Sequence, residues 1–409
     1  MDLGYKYSSL EEDKIKLILS FLYPFGAYLY AFKNIGSKTS LIVLYIFYLF
    51  YGWTFIPRNV AADSYRYAED FYSAQTQYSR DGIRGIIEAW RNEDEIVDSE
   101  TEKDLFVPIT NYCLSRTTDN VHFLFLFYAA LFGGFMVLSL RYVVTLPTFR
   151  NDLASLVLVF MFLFSNPIFN INGIRFWLAG WVATYSVFKI LAEKKHIYLL
   201  LLFSTYFIHI SYSIYIVLAL IACVISNIKG AVKVLPVVFF ISFFVSSFAA
   251  ELINSLESYF PPIIRHMISS YLDENYVAER ANMYAGYAKV LNSLPHVLWN
   301  AMLMLIIINK HRELRSNKIY VVALILLSFS NFMMTVPSVG VRFIQLCVPF
   351  IAYLWVRTMT ETKCHKYIKF VPILYCYTLL YWFRNTVSIS DPFLYVTNSI
   401  HLIVNNLVQ

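Results

Sequence analysis

Two arginines follow polar turns inside long apolar stretches of this sequence. Arg175 and Arg342 each come after a turn that contains Gly and Pro, and each is predicted to begin a helix. A planar guanidinium offers the paired donors that suit phosphate. If the two converge, with Arg58 and Arg280 as further candidates on the same side, they could hold a diphosphate without a metal ion. The alternative is that each arginine reaches from a helix end to the lipid headgroups.

His209 lies in the middle of the apolar run 197–226, two residues before Ser211. A neutral imidazole accepts a proton near pH 7, so His209 is the first candidate for the base that activates a hydroxyl nucleophile. Ser211 is a candidate for contact with a sugar. A histidine that caps a helix or hydrogen-bonds to the backbone would give the same pattern.

Asp63 and Tyr67 stand four residues apart in a stretch that is predicted to be helical, and therefore on one face. A carboxylate beside a phenol can bind sugar hydroxyls, and Asp63 is also the alternative base. Asn172, in the turn before Arg175, is a further candidate for sugar binding. The alternative for Asp63 is that it caps the helix 64–72 by accepting backbone N–H bonds.

The composition indicates that a membrane surrounds the elements that position these residues. Hydrophobic residues make up 58% of the 409 positions, and aromatic residues make up 18%, which is typical of polytopic membrane proteins. Charged residues make up 15%, against about 25% in soluble domains. This excludes a soluble multi-domain enzyme and a disordered chain. The five cysteines form no C-x-x-C pair, so neither a disulfide framework nor a cysteine metal site is expected.

Short loops rich in Lys and Arg predict which side of the membrane each apolar run ends on. Basic loops near residues 35, 145, 193, 230, 314 and 365 are predicted to be cytoplasmic. Because the loops at 193 and 230 then share a side, the run 197–226 must hold two short helices that meet near His209–Ser213. The prediction is an all-α membrane protein with about 12 spans (roughly 11–13) in a single integral membrane domain, residues 1–409.

Two long stretches, 57–120 and 251–294, are predicted to be large periplasmic loops. Within the second, apolar residues repeat at helical spacing over 263–272, as expected for a helix that lies in the membrane interface. Region 88–104 carries eight acidic residues against two basic ones. Such dense like charge predicts a solvated loop.

Several signatures of other enzymes and transporters do not occur in the sequence. It has no Walker loop, HExxH, GxSxG or dinucleotide-binding glycine motif. Outside region 88–104 the predicted outer side has no carboxylate pair with the spacing of metal ligands, so neither a metal nor a cofactor is expected. No chain of intramembrane acids is present, which weakens the case for an ion-coupled transporter.

Three short motifs occur in order in the N-terminal half. Residues 63–71 fit the pattern D-x-x-x-Y-x-x-x-F, residues 175–179 fit R-x-x-L/I-A, and residues 209–211 fit H-x-S. In these motifs, over about residues 55–230, the chain resembles the EpsG-like branch of the Wzy polysaccharide polymerases, which are bacterial inner-membrane proteins. The C-terminal half is similar only in hydropathy and in the arginine-led span at Arg342.

The resemblance implies a C-type glycosyltransferase-like membrane fold with an active site that faces the periplasm. Such polymerases join oligosaccharide units carried on undecaprenyl diphosphate and release the polyprenyl diphosphate. The outer arginines would then stabilise the departing diphosphate, while His209 or Asp63 would accept the proton of the acceptor hydroxyl. The implied partners are the lipid-linked donor and acceptor, the bilayer and, as a candidate, a chain-length regulator protein, with no nucleic acid.

Two other functions share some of these features. A lipid-linked oligosaccharide flippase would need basic residues that line a central cavity from both sides, whereas the unusual arginines here fall on the predicted outer side. A membrane O-acyltransferase that acts on sugars also uses His and Arg, but its His should lie near a cytoplasmic donor. Both remain alternatives to the polymerase at this point.

Overall fold

The computed structural model describes residues 8–77, 82–91, 104–228, 230–256, 259, 286–336 and 338–407. In these residues the regular secondary structure is helical, apart from an isolated antiparallel bridge between Phe55 and Ser390. The prediction of an all-α protein is confirmed. The predicted interfacial helix 263–272, Arg280 and residues 92–103 of the acidic region lie outside the described residues.

The chain folds into two compact units. The first contains the described residues of 8–91, 104–213 and 380–407, and it holds all three motifs. The helices that precede the bend at 209–211 are α1 (Leu10–Leu22), α2 (Pro24–Ala31), α3 (Lys38–Trp53), α4 (Asp63–Gln77), α5 (Gly82–Arg91), α6 (Phe106–Ser115), α7 (His122–Val144), α8 (Leu153–Ser165), α9 (Ile174–Leu191) and α10 (Tyr198–Ile208).

Local sequence explains how α3 and α8 begin and why α3 packs closely on α7. The side chains of Ser37 and Asp152 each accept a hydrogen bond from the backbone N–H three residues further on, which caps these helices. Gly52 lies so close to α7 that a Cβ there would be 2.3 Å from the Cβ of Ala129. A side chain at position 52 would therefore force the two helices apart.

The C-terminal segment of the chain returns to α3. The indole Nε1 of Trp53 donates to the carbonyl of Leu402 at 2.9 Å, and the amide of Asn406 donates back to the carbonyl of Trp53 at 3.2 Å. The hydroxyl of Tyr51 donates to the carbonyl of Thr386 at 2.9 Å. These bonds fix the end of α3 from which the chain leads into α4.

The second unit contains the described residues of 214–379. A polar cluster ties three of its helices together. The Asn331 amide bonds to His296 Nε2 and Asn300 Oδ1, both at 2.9 Å, and to Ser242 Oγ at 3.3 Å. Such bonds hold helices together where lipid offers no competing partners. The remaining helices of the chain are α11 (Tyr212–Ile225), α12 (Ala231–Ser242), α13 (Ala249–Leu256), α14 (Gly286–Leu314), α15 (Lys318–Phe332), α16 (Val339–Thr358), α17 (Val371–Leu374), α18 (Cys376–Ser388) and α19 (Ser399–Leu407). Of these, α19 belongs to the first unit, and the unit boundaries fall within α11 and α18.

The described helices include several that are long and apolar enough to cross a membrane. Four stretches meet this criterion, and a fifth does if the bent pair Ala231–Ser242 and Ser246–Ile253 is one span. The four are His122–Val144, Leu153–Leu191, Lys318–Thr335 and Val339–Thr358. The figure of about 12 spans stays a prediction. The predicted division of the run 197–226 is confirmed, because α10 ends at Ile208 and α11 begins at Tyr212.

Candidate active site

The turn before α9 is held by the buried side chain of Asn166. Its Nδ2 donates to the carbonyl of Trp177 at 2.8 Å, and its Oδ1 accepts a hydrogen bond from Asn170 at 2.9 Å. The 3₁₀-helix Ile168–Gly173 then leads directly into α9. Because Asn166 joins the turn to the first turns of α9, it fixes the place from which Arg175, the second residue of α9, extends.

Arg175 is held by two buried side chains from distant parts of the sequence. Its Nε donates to the hydroxyl of Tyr67 at 3.1 Å, and its Nη1 donates to Oδ2 of Asp104 at 3.3 Å. The Arg175 side chain is 18% exposed, while Tyr67 is fully buried and Asp104 is 4% exposed. At least two of the five guanidinium N–H donors are thus engaged by side chains that fix the direction of the group.

Asp104 also connects Arg175 to the bend between α10 and α11. Its second carboxylate oxygen, Oδ1, accepts the backbone N–H of Ile210 at 2.9 Å. The next residue, Leu105, donates its N–H to the carbonyl of Phe207 at 3.1 Å. One carboxylate therefore bridges the start of α9 and the middle residue of the H-x-S motif.

For Asp104, the prediction of a solvated acidic loop over 88–104 is wrong. Asp104 is the last acid of that region and stands directly before the apolar start of α6, where Val107 is fully buried. The packing of α6 carries the carboxylate into the protein, and Arg175 compensates its charge. The sequence signal for this is the change from acidic to apolar residues at position 104, which the charge of the whole region does not show.

His209 lies beside the residue that follows Arg175. Its ring meets the Phe176 ring edge to face, with centroids 5.4 Å apart. The Nδ1 atom of His209 lies 2.7 Å from the Ser211 hydroxyl and accepts the Ser211 backbone N–H at 3.3 Å. Since a backbone N–H can only donate, Nδ1 is an acceptor here, and the neutral ring carries its proton on Nε2.

The start of α4 lies against the turn before α9. The Ser64 hydroxyl donates to the side-chain oxygen of Asn172. The carboxylate of Asp63 is half exposed, and a Cβ added to Gly173 would lie 3.7 Å from its Oδ2. Arg66 Nη2 is 3.7 Å from Asp63 Oδ1. The first unit therefore brings together six of the predicted site residues, in direct contact or through the neighbouring residues Ser64, Asp104 and Phe176: Asp63, Tyr67, Asn172, Arg175, His209 and Ser211.

The other predicted arginines are Arg58, Arg342 and Arg280. Arg58 is exposed in the segment between α3 and α4. Arg342 belongs to the second unit, where it is the fourth residue of α16 rather than the first, because that helix begins at Val339. Arg280 lies outside the described residues. The convergence of these arginines with Arg175 stays a prediction.

A further carboxyl group, Asp70, lies within electrostatic reach of Arg175. It follows Asp63 by seven residues, two helical turns along the same side of α4. Partial burial raises the pKa of Asp70, the charges of Arg66 and Arg175 oppose that rise, and Glu69 adds to it. Sequence reasoning assigned no role to Asp70, although it lies within the first motif.

The described residues contain no group of three or more His, Cys, Asp or Glu side chains that could hold a metal ion. All five cysteines are free thiols. The polar groups assembled around Arg175 are therefore guanidinium, carboxylate, phenol, imidazole, amide and hydroxyl.

The sequence matches the family model described as the EpsG family over residues 38–397. The chain belongs to the EpsG family. EpsG proteins are related to the Wzy-type polymerases and are associated with polysaccharide biosynthesis. Together with the apolar helices, this membership makes the chain a membrane protein. No curated protein and no solved structure matches it.

The EpsG match begins at the first residue of α3 and includes α4, Asp104, α9 and the bend at 209–211. Every described residue of the site therefore lies within the part of the chain that defines the family. The match also runs through the second unit, where the three motifs gave no information. The helices α1 and α2 precede the matched residues.

Proposed function

We propose that this EpsG-family protein is a polysaccharide polymerase, which joins oligosaccharide units carried on polyprenyl diphosphate at the periplasmic face of the bacterial inner membrane. The observation that carries the proposal is the anchoring of Arg175 at the start of the 18-residue helix α9 by a buried carboxylate and a buried phenol. An anion there would meet both the guanidinium and the N-terminal end of the helix. A departing diphosphate is such an anion.

In the proposed reaction, a hydroxyl of the acceptor unit attacks the anomeric carbon of the donor, and the bond from that carbon to the diphosphate oxygen breaks. The electron pair stays on the diphosphate, so negative charge grows on it during the step. Arg175 would stabilise this growing charge more than the charge of the bound donor, which lowers the barrier. The proton of the attacking hydroxyl must pass to a base.

The hydrogen bonds at the bend favour Asp63 over His209 as that base. Nδ1 of His209 already accepts from Ser211, so the neutral ring presents an N–H at Nε2, which suits donation to a phosphate or sugar oxygen. The half-exposed carboxylate of Asp63 lies beside Gly173, two residues before Arg175. We therefore assign proton acceptance to Asp63 and hydrogen-bond donation to His209.

The remaining polar residues divide into sugar contacts and supports. Asn172 and Ser211 are both partly exposed, and we assign them to sugar hydroxyls. Tyr67 is fully buried and its hydroxyl accepts from Arg175. We therefore assign it to the positioning of Arg175 rather than to contact with sugar.

Glycan profiling of cells that lack the protein tests the proposal. Loss of a polymerase leaves single repeat units on the carrier lipid or its acceptor, in place of a ladder of polymers. Loss of a flippase would leave no units outside, and loss of an O-acyltransferase would leave full-length polymer without acyl groups. Either of the last two outcomes would contradict the proposal.

Variants of Arg175 test the site within the same cells. Removal of a contact to developing charge costs about 3 kcal/mol, or roughly a hundredfold in rate, so Arg175→Ala should reduce the ladder to single units. Arg175→Lys should rescue only in part, because the paired donors are lost. Arg84→Ala is the control, since that side chain is 86% exposed in α5. If Arg175→Ala protein at the wild-type level still built full-length polymer, the diphosphate assignment would be wrong.

Two further variants test which group accepts the proton. Asp63→Asn removes the proposed base and should abolish polymerisation, whereas His209→Gln keeps an N–H donor and should retain part of the activity. The opposite order of severity, measured at equal protein levels in the membrane, would return the role of base to His209.

A further inference from the structure

Asp104 makes two different contacts with its two carboxylate oxygens. One pairs with Nη1 of Arg175 at 3.3 Å, and the other accepts the backbone N–H of Ile210 at 2.9 Å. The Asp104 side chain is 3% exposed. A charge removed from water to this degree is costly unless it is paired. The buried carboxylate of Asp104 therefore depends on its contact with Arg175.

An aspartate at position 104 is needed for the contact with Arg175 but not for the contact with Ile210. Asparagine at position 104 could still accept the Ile210 N–H through its side-chain oxygen. Its NH₂ group would then face the N–H donors of Arg175, where no hydrogen bond can form. The negative charge of Asp104 is therefore directed at Arg175, whereas the contact with Ile210 needs only an oxygen.

We propose that Asp104 is a positioning residue that stays paired with Arg175 while Arg175 binds the diphosphate of the substrate. In this way Asp104 orients the guanidinium and also limits how tightly the released diphosphate is bound. The inference rests on the proposed function, because it takes a diphosphate as the ligand of Arg175. It goes beyond that function by assigning to Asp104 the control of product release.

The chemistry of the reaction explains why such control is needed. In the donor, both phosphates of the diphosphate are esterified, one to the polyprenyl chain and one to the sugar. When the anomeric carbon–oxygen bond breaks, the terminal phosphate keeps the electron pair and carries one more negative charge. An uncompensated Arg175 would therefore bind the product more tightly than the substrate. The negative charge of Asp104 repels the diphosphate. It weakens binding of the product more than binding of the donor, because the product carries the greater negative charge.

Binding of inorganic pyrophosphate to the purified full-length protein tests this inference without a turnover assay. We expect Asp104→Asn to bind pyrophosphate about tenfold more tightly than the wild type, which corresponds to about 1.4 kcal/mol. Arg175→Ala should lose most of the binding. Glu88→Gln is the matched control, because Glu88 is half exposed and pairs with Arg84 on α5, and its affinity should not change.

Turnover measurements add a readout that a purely structural role would not move. With lipid-linked units as substrate, Asp104→Asn should lower both kcat and KM, because tighter product binding slows release while donor binding also tightens. Simple loss of structure would lower kcat with an unchanged or raised KM. Asp104→Glu keeps the charge and should bind pyrophosphate within about threefold of the wild type.

The outcomes separate this inference from the proposed function. If Arg175→Ala binds pyrophosphate as well as the wild type does, the proposed diphosphate site is wrong. If Arg175→Ala loses binding but Asp104→Asn is folded and binds equally or more weakly, the role of Asp104 is wrong and the diphosphate site stands. Should Asp104→Asn not fold, Asp104→Ser removes the same charge with a smaller polar side chain, and it must show the same gain in affinity.

Discussion

Tyr67→Phe removes a single oxygen from the centre of the candidate site. That oxygen accepts the Nε–H of Arg175 at 3.1 Å, and the ring that carries it is fully buried. Phenylalanine keeps the ring and its edge-to-face contact with Tyr128, whose centroid is 6.3 Å away. The substitution therefore changes how Arg175 is held without changing any surface that a substrate could touch.

The magnitude follows from the kind of bond that is lost. A hydrogen bond to a charged group contributes about 1.5–3 kcal/mol, which is the upper bound on the stability that Tyr67→Phe can cost. Asp104 still holds Nη1, so Arg175 is loosened rather than released. We expect a rate lower by about tenfold to thirtyfold, or about 1.4–2 kcal/mol. That effect is smaller than the roughly hundredfold expected for loss of the guanidinium itself.

The assay compares polymerisation rates per folded protein in detergent or in membranes. Tyr51→Phe is a matched control in the same unit, since Tyr51 is also fully buried and its hydroxyl donates to the Thr386 carbonyl at 2.9 Å. Both variants should lose similar thermal stability, and only Tyr67→Phe should lose activity. Full activity in Tyr67→Phe, or an equal loss in both variants, would refute the claim that this hydroxyl aims Arg175.

Two predictions concern pH and follow from the electrostatics of the first unit. Burial tends to raise the pKa of Glu193, but hydrogen bonds from Tyr142, Lys189 and Lys195 outweigh it and hold the pKa at about 2. The resulting stabilisation is present above the unfolded pKa of 4.5 and is lost as the pH falls toward 2. At pH 7, Glu193→Gln should therefore lower the free energy of unfolding by about 2 kcal/mol and lower the Tm accordingly. Both effects should become progressively smaller below pH 4.5. Asp70 has the opposite sign: partial burial raises its pKa above 3.8, so the stability gained from its protonation is lost as the pH rises through that raised pKa. Asp70→Asn should therefore raise the Tm at pH 7, and this effect should fade as the pH falls below 3.8; a lower Tm at pH 7 would contradict this.

The features that were predicted correctly from the sequence depend on local signals. The division of the run 197–226 followed from its length and from the basic loops on either side, and α10 and α11 do separate at His209–Ser211. A helix was predicted over 64–72, with Asp63 and Tyr67 on one face from their spacing, and α4 does extend over Asp63–Gln77. Hydropathy, charge and helical period are each readable within a window of about 20 residues.

The role of Asp104 could not be predicted in this way, because its partners are distant in sequence. Asp104 is separated from Arg175 by 71 residues and from Ile210 by 106. The stretch that precedes Asp104 is rich in acidic residues, although Lys103 is its direct neighbour, and the stretch that follows is apolar. This pattern indicates a boundary rather than a partner. The ion pair exists because tertiary packing of α6 brings the carboxylate to α9, and a single sequence carries no record of that pairing.

The three motifs are connected by hydrogen bonds, and one of the connecting side chains, Asp104, belongs to no motif. Tyr67 of the first motif acts through its hydroxyl on Arg175 of the second, and Asp104 carries the connection on to the third. There it meets the backbone N–H of Ile210, the unspecified middle residue of H-x-S. Every residue type except proline has a backbone N–H, so this contact does not restrict the residue type at position 210 and produces no sequence motif. The motifs therefore lie along one hydrogen-bonded network, and the carboxylate that joins the second motif to the third can be found only from the fold.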